Sequence, residues 1–348
     1  MNKIFVAIIA ITLLGASCTG EAVKVGVVKT ANGGVDWQSA NKIKDTEKTL
    51  LEKSISKVSF NPAKDKIFAS SFDGGLYSTE DAGENWSEVL SDVPIYDFVF
   101  NPNNDQIIYA ASYLGERGRL LITKDGGKSW NEVYSDAGNK NPVRAVAVNP
   151  NNPSEVVIGL GKGALIKSTD EGATWQLSQN YNDRISKIVW ESGSLYVVVK
   201  KTGIFRSTDN GSSYEQITRS LAKVSNRVQA SIFGASSVND YRQLAIDPYN
   251  SNNLFVTTNK GLYQSFDGGS SWKYVSMPVR EQDANPYAVA MSQDGGSVIY
   301  VSSNSVIFKS TDGGSTWSAS DAGTNGLVTS ILISPNQNML VFAGVSKP

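Results

Sequence analysis

The sequence predicts an all-β fold: a seven-bladed β-propeller with four strands per blade, its ring closed by pairing the N- and C-terminal strands in one blade. Three observations carry this. A short motif recurs seven times, and its closing aromatics lie 49, 44, 45, 39, 58 and 45 residues apart. Strand-like alternation separated by turn residues fills the intervals, the pattern of stacked four-stranded units. The two ends of the chain read as complementary halves of one unit.

The chain of 348 residues opens with Lys3 and an eleven-residue apolar run, Ile4–Leu14, followed by small residues and Cys18. This reads as an export signal over residues 1–17, too short to span a bilayer. Cys18 is the only cysteine, so no intrachain disulfide forms. A lone cysteine at this place resembles the bacterial lipobox. That resemblance implies a lipidated N-terminus and tether at residues 18–21, followed by a single propeller over 22–348. The expected localisation is extracytoplasmic and membrane-anchored.

Residues 23–30 and 35–38 read as third and fourth strands, with a worn copy of the motif, A-N-G-G-V-D-W, between them. A charged stretch, 39–54, is expected to hold a short helix. The type blade follows. Ile55–Phe60 alternates and ends in Asn61-Pro62, where proline suits a strand end. Residues 66–71, 76–79 and 85–90 supply the other three strands. First strands start again near Ile95, Val143, Ile185, Tyr241, Pro286 and Val328. The chain ends on a first and second strand, 327–333 and 339–344, which lack a third and fourth.

The motif reads S-T-E-D-A-G-E-N-W at 78–86, T-K-D-G-G-K-S-W at 123–130, S-T-D-E-G-A-T-W at 168–175, S-T-D-N-G-S-S-Y at 207–214, S-F-D-G-G-S-S-W at 265–272 and S-T-D-G-G-S-T-W at 310–317. A short carboxylate at Asp81, Asp125, Asp170, Asp209, Asp267 or Asp312 can accept N–H groups of its own turn. The following glycine admits backbone angles closed to other residues. The aromatics are expected to fill the wedges between blades. These carboxylates are spread around the ring, so their reading is structural.

These residues resemble the Asp-box, or bacterial neuraminidase repeat, of sialidases, xyloglucanase-type glycoside hydrolases, sortilin-type receptors and the photosystem II assembly factor type. The sialidase resemblance implies six blades and an F/Y-R-I-P motif, from which Phe205-Arg206-Ser207-Thr208 departs. The nearest plan is the assembly factor type. It implies one exported propeller, lipid-anchored in bacteria, non-enzymatic, with an arginine-rich patch for a membrane-protein partner.

Composition narrows the chemistry. The formal net charge is −1 and there is no histidine, which removes imidazole bases and ligands and gives no reason to expect nucleic acid. Carboxylates remain, and Asp97, Glu116 and Glu281 are glycosidase candidates whose spacing does not pair them. No cofactor, metal or catalytic residue is expected. Aligning the first strands on their last residue gives one column: Ser56, Tyr96, Arg144, Ser186, Arg242, Tyr287 and Thr329. It should ring the channel mouth on the face opposite the motif turns. Eight of nine arginines map to or near that face, Arg219 among them. Insertions at 112–119 and 220–240 flank it. The expected binding residues are Arg144, Arg242, Tyr96, Tyr287, Arg117, Arg119 and Arg227, since arginine with tyrosine suits carboxylates, phosphates and protein surfaces. The expectation is a monomeric, non-enzymatic scaffold for a protein partner at the membrane, with a carbohydrate-active propeller as the alternative.

Overall fold

The computed structural model describes residues 24–348 except 139, 192, 220, 222–237, 281–282, 294–296, 336 and 338. Seven four-stranded antiparallel sheets make the seven blades. Six run in simple chain order, beginning with Ile55–Phe60, Ile67–Ser71, Leu76–Thr79 and Ser87–Leu90 as blade 1. Blades 2 to 6 begin at Ile95, Val143, Ile185, Tyr241 and Pro286. Blade 7 is shared: Leu327–Ile333 and Val341–Ser346 pair with Gly26–Thr30 and Gln38–Ser39. Pairing Gly26–Thr30 with Val341–Ser346 closes the ring, as the complementary halves predict, and leaves no sheet edge open between chain ends.

Second strands lie mid-blade with neighbours packed on both faces. Ile67–Ser71, Val156–Leu160, Ile299–Ser303 and Val341–Ser346 are therefore buried along their whole length. A strand buried on both faces reads as a nearly unbroken apolar run rather than an alternation.

The motif turns behave as expected. The hydroxyl ending each third strand accepts the N–H of the glycine four residues on: Ser168 from Gly172 and Ser310 from Gly314, both at 2.8 Å. The same hydroxyl donates to the carboxylate two residues on, as Ser310 does to Asp312 at 2.8 Å. That carboxylate also accepts the N–H and hydroxyl of Thr316, at 2.8 and 2.6 Å. In the worn copy Asn32 replaces the aspartate and keeps these bonds, accepting from Thr30, Val35 and Asp36. Each aromatic reaches toward the preceding blade. The Trp86 indole donates to Ala40 O at 2.7 Å, Trp175 to Val133 O at 2.8 Å, and Trp272 to Ile217 O at 2.9 Å. They fill the wedges, on the order of 150–250 Å² each.

The short helix expected in residues 39–54 is a single 3₁₀ turn, Leu50–Glu52, beside buried Ile43 and Leu50. The insertion at residues 112–119 lengthens the connection between the second and third strands of blade 2 as a hairpin, Asn104–Leu114 with Arg117–Thr123, whose turn at Gly115-Glu116 takes positive φ at both residues.

Candidate functional site: the channel mouth

The register sets the two faces. In blade 1 Ile55 pairs with Ser71, while Phe60 pairs with Ile67 and Ile67 with Thr79, where the motif turn begins. The starts of first strands therefore lie at the end of the ring opposite the motif turns. Lys24 lies at that same end, because Gly26 pairs with Val345 and Val345 with Val328.

Every first strand carries a β-bulge there. The register shifts between Ile55 and Lys57, Ile95 and Asp97, Val143 and Ala145, Ile185 and Lys187, Tyr241 and Gln243, Pro286 and Val289, and Val328 and Ser330. The skipped residues are Ser56, Tyr96, Arg144, Ser186, Arg242, Tyr287 (with Ala288) and Thr329, and they include the whole column aligned from sequence. A bulge re-aims its extra side chain. All seven line one cavity of about 280 Å³.

The residue after the bulge forms a deeper layer. Its side chain repeatedly accepts an N–H of the next blade. Ser330 accepts from Val58 at 3.0 Å, Asp97 from Val146 at 3.3 Å and Gln243 from Val289 at 3.3 Å. Asp97 is the charged centre of this layer, with its side chain 5% exposed. Lys57 Nζ donates to it at 2.8 Å and Lys187 Nζ stands 4.0 Å away. Burial alone would raise the Asp97 pKa; Lys187 and Lys57 outweigh it and hold the carboxyl below the usual carboxylate range. Lys57 also borders a second cavity, of about 370 Å³, at the motif-turn end of the channel, beside Phe60, Phe98 and Leu332.

Arg144 and Arg242 occupy equivalent positions and differ in environment. The Arg242 guanidinium stacks on Tyr287 at 4.0 Å, donates from Nε to Asp240 at 3.1 Å and from an Nη to Pro286 O at 2.8 Å. Asp240 and Pro286 O take two of its five N–H groups from within the chain. Arg144 stacks on Tyr96 at 4.4 Å, and Tyr96 packs on Phe72 at 5.5 Å. Its Nε is buried with no hydrogen-bond partner. Burial, opposed by Tyr96 and reinforced by the nearby Arg184 charge, lowers the Arg144 pKa.

The cavity lining carries Lys57, Arg144, Arg184, Lys187, Lys200 and Arg242 against Asp97 and Asp240, an excess of four positive charges. The whole chain has a net charge of −1. The ion pairs of the cavity are Lys57–Asp97, Lys187–Asp97, Lys200–Asp240 and Arg242–Asp240. Among the described residues, Arg144 and Arg184 form none.

The remaining candidates lie elsewhere. Arg117 and Arg119 stand on the blade 2 hairpin outside the cavity, and Arg119 pairs with Glu132 at 2.8 Å. Glu116 sits at the hairpin tip. Arg219 is not near the mouth: it lines a groove with Arg206, Gly269 and Ser270, beside the blade 5 motif turn. Arg227, Glu281 and Cys18 lie outside the described residues. Lys57 and Lys187 were missed by the sequence reading. The available signal was a second non-apolar residue directly after five of the seven column residues, Lys57, Asp97, Lys187, Gln243 and Ser330. Among the described residues no group of three or more metal-ligating side chains is found.

Fold and turns together define a seven-bladed Asp-box β-propeller with a cationic channel mouth. The Sortilin-Vps10 family model (sortilin, neurotensin receptor 3) matches residues 202–342. A Paenibacillus xyloglucanase is 22% identical, aligned over 68% of this chain and 22% of its own length. Among solved structures, the Niastella koreensis GH74 enzyme superposes with a TM-score of 0.64 at 19% identity, covering 91% of this chain and 53% of its own. A structure of YCF48 bound to D1 peptide superposes with a TM-score of 0.62 at 17% identity, covering 85% of this chain and 94% of its own. YCF48 from Cyanidioschyzon merolae gives 0.64 at 12% identity, covering 84% and 96%. The chain thus spans about half of the GH74 enzyme and nearly all of the YCF48 chains in these superpositions. These likenesses establish the fold.

Proposed function

We propose that this chain is an extracytoplasmic scaffold that captures a protein partner on its mouth face and is held to a membrane through acylated Cys18. The carrying observation is the surplus of positive charge at the mouth, supplied from blades 1, 3, 4 and 5 in a chain of nearly balanced charge. A low-dielectric concavity of one sign focuses its field on an acidic partner. The likeness to YCF48, one structure of which holds a D1 peptide, supports a protein partner over a small substrate.

The exit of the chain fits this reading. Lys24 N donates to Asn325 Oδ1 at 2.6 Å on the mouth side of blade 7. Six residues from Cys18 to Lys24 span at most about 20 Å. An anchor at Cys18 therefore holds the mouth face close to the bilayer, within reach of a membrane-embedded partner. Cys18→Ser should release the protein from the membrane fraction; retention of an unlipidated chain there would contradict the anchor.

The carbohydrate-active alternative draws on the GH74 likeness. Glycoside cleavage needs a carboxylic acid of raised pKa beside a second carboxylate. The two carboxylates of this cavity, Asp97 and Asp240, are each bound to cations, and Asp97 is held ionised. The deciding experiment measures partner capture from solubilised membranes beside hydrolysis of a glycan panel. The scaffold reading expects capture weakened at least tenfold by Arg144→Gln/Arg184→Gln. Glycan hydrolysis abolished by Asp97→Asn would replace it with the alternative.

A further inference from the structure

We propose that the channel mouth holds one oxyanion, a carboxylate or a phosphate, between Arg144, Arg184 and Lys187. This rests on the mouth being the binding face and names the chemical group it takes.

Arg144 and Arg242 are the bulged residues of blades 3 and 5, and each stacks on the bulged tyrosine of an adjacent blade, Arg144 on Tyr96 of the preceding one and Arg242 on Tyr287 of the following one. Arg242 shows how an arginine at this register is paired from within the chain: a carboxylate accepts from its Nε and a carbonyl from one Nη. Arg144 has neither, and its Nε is buried and unpaired. A buried donor without a partner is costly, and buried charges are ordinarily paired. Arg184 adds a second unpaired cation close enough to oppose the first. Lys187 adds a third amine, in a long ion pair only. Its only anionic neighbour, among the described residues, is Asp97 at 4.0 Å, and Asp97 already accepts from Lys57, Phe98 and Val146.

Three cations facing one cavity without enough anions are complementary to an anion that the chain does not supply. Stacking on Tyr96 occupies the face of the Arg144 guanidinium and leaves its in-plane N–H edges, which suit a bidentate oxyanion. The cavity, about 280 Å³, sits at the small end of ligand pockets, suited to an oxyanion group and not to a folded element.

The test uses the full propeller, with inorganic phosphate and succinate titrated by calorimetry and thermal shift against sodium chloride at matched ionic strength. An acetylated tripeptide with a free carboxyl end, beside its amide, separates a chain-borne carboxylate from a free one. The expected result is saturable binding of at least one of these oxyanions, with no equivalent effect of chloride. Arg144→Gln should weaken that affinity at least tenfold while leaving the unliganded Tm unchanged or higher. Arg184→Gln should do the same, whereas Arg242→Gln should lower the unliganded Tm. The inference is overturned if no oxyanion binds above the chloride control, or if both Arg144→Gln and Arg184→Gln bind as the parent does. Should partner capture still depend on the mouth in that case, the oxyanion assignment alone fails and the scaffold reading stands.

Discussion

Replacing Asp97 with asparagine tests the deeper layer of the channel most sharply. The carboxylate accepts from Lys57 Nζ at 2.8 Å, from Phe98 N at 3.0 Å and from Val146 N at 3.3 Å, and Lys187 Nζ lies 4.0 Å away. Asparagine keeps one acceptor oxygen. Its NH₂ group must then face either an ammonium or a backbone N–H, donor against donor, and the charge that holds two lysines is gone. Breaking a buried ion pair on one side costs about 3–5 kcal/mol. With about 2.1 cal/mol/K of unfolding entropy per residue, a chain of 348 residues loses about 1.4 °C of Tm per kcal/mol, so the expected drop is about 4–7 °C. The sign with pH follows from the depressed folded pKa. The Asp97 contribution is fully present above the unfolded carboxylate pKa, near 4, and is lost as pH falls through its lower folded value. Differential scanning calorimetry of parent and variant should show a constant gap from about pH 5 to 7 that narrows below about pH 4. A variant melting within 1 °C of the parent at pH 7 would refute the claim that Asp97 organises this layer.

Two further outcomes follow from the scaffold. Asp312→Ala should lower Tm and leave partner capture intact, because Asp312 serves only its own turn. Hydrogen bonds from Thr316, its backbone N–H and Ser310 hold its pKa at about 2, so the loss should fade as pH falls from about 4 through 2; calorimetry checks the first point and capture the second. Deleting residues 341–348 removes the buried strand that joins Gly26–Thr30 to Leu327–Ile333, and should abolish cooperative unfolding in circular dichroism, unlike the trimming of an exposed tail.

The repeat made the fold legible because each motif is a local device: hydroxyl, carboxylate, glycine and aromatic act within one turn and one wedge. Ring closure was legible as well, since a half-blade at each end has one partner available. The mouth column was legible because the bulge recurs at a fixed distance from the Asn-Pro strand end. The Lys57–Asp97–Lys187 layer was not, because a bulge turns two successive residues toward the channel and breaks the alternation that strand reading assumes. The pairing of Arg242 with Asp240, two positions before it, was not legible, because it depends on a side-chain geometry that spacing does not fix. Arg219 was misplaced because the chain after blade 4 runs along the blade 5 motif turn.

The central claim is that the partner meets the mouth face. Site-specific photocrosslinking in native membranes tests it directly, with the reactive group placed at Thr329 in the mouth or at Phe266, exposed on the motif-turn side. One dominant crosslinked protein is expected from Thr329 and none from Phe266, with the Thr329 product lost in Arg144→Gln/Arg184→Gln. The same protein captured from Phe266, with Thr329 silent, would place the partner on the opposite face and rule out the mouth as its docking surface.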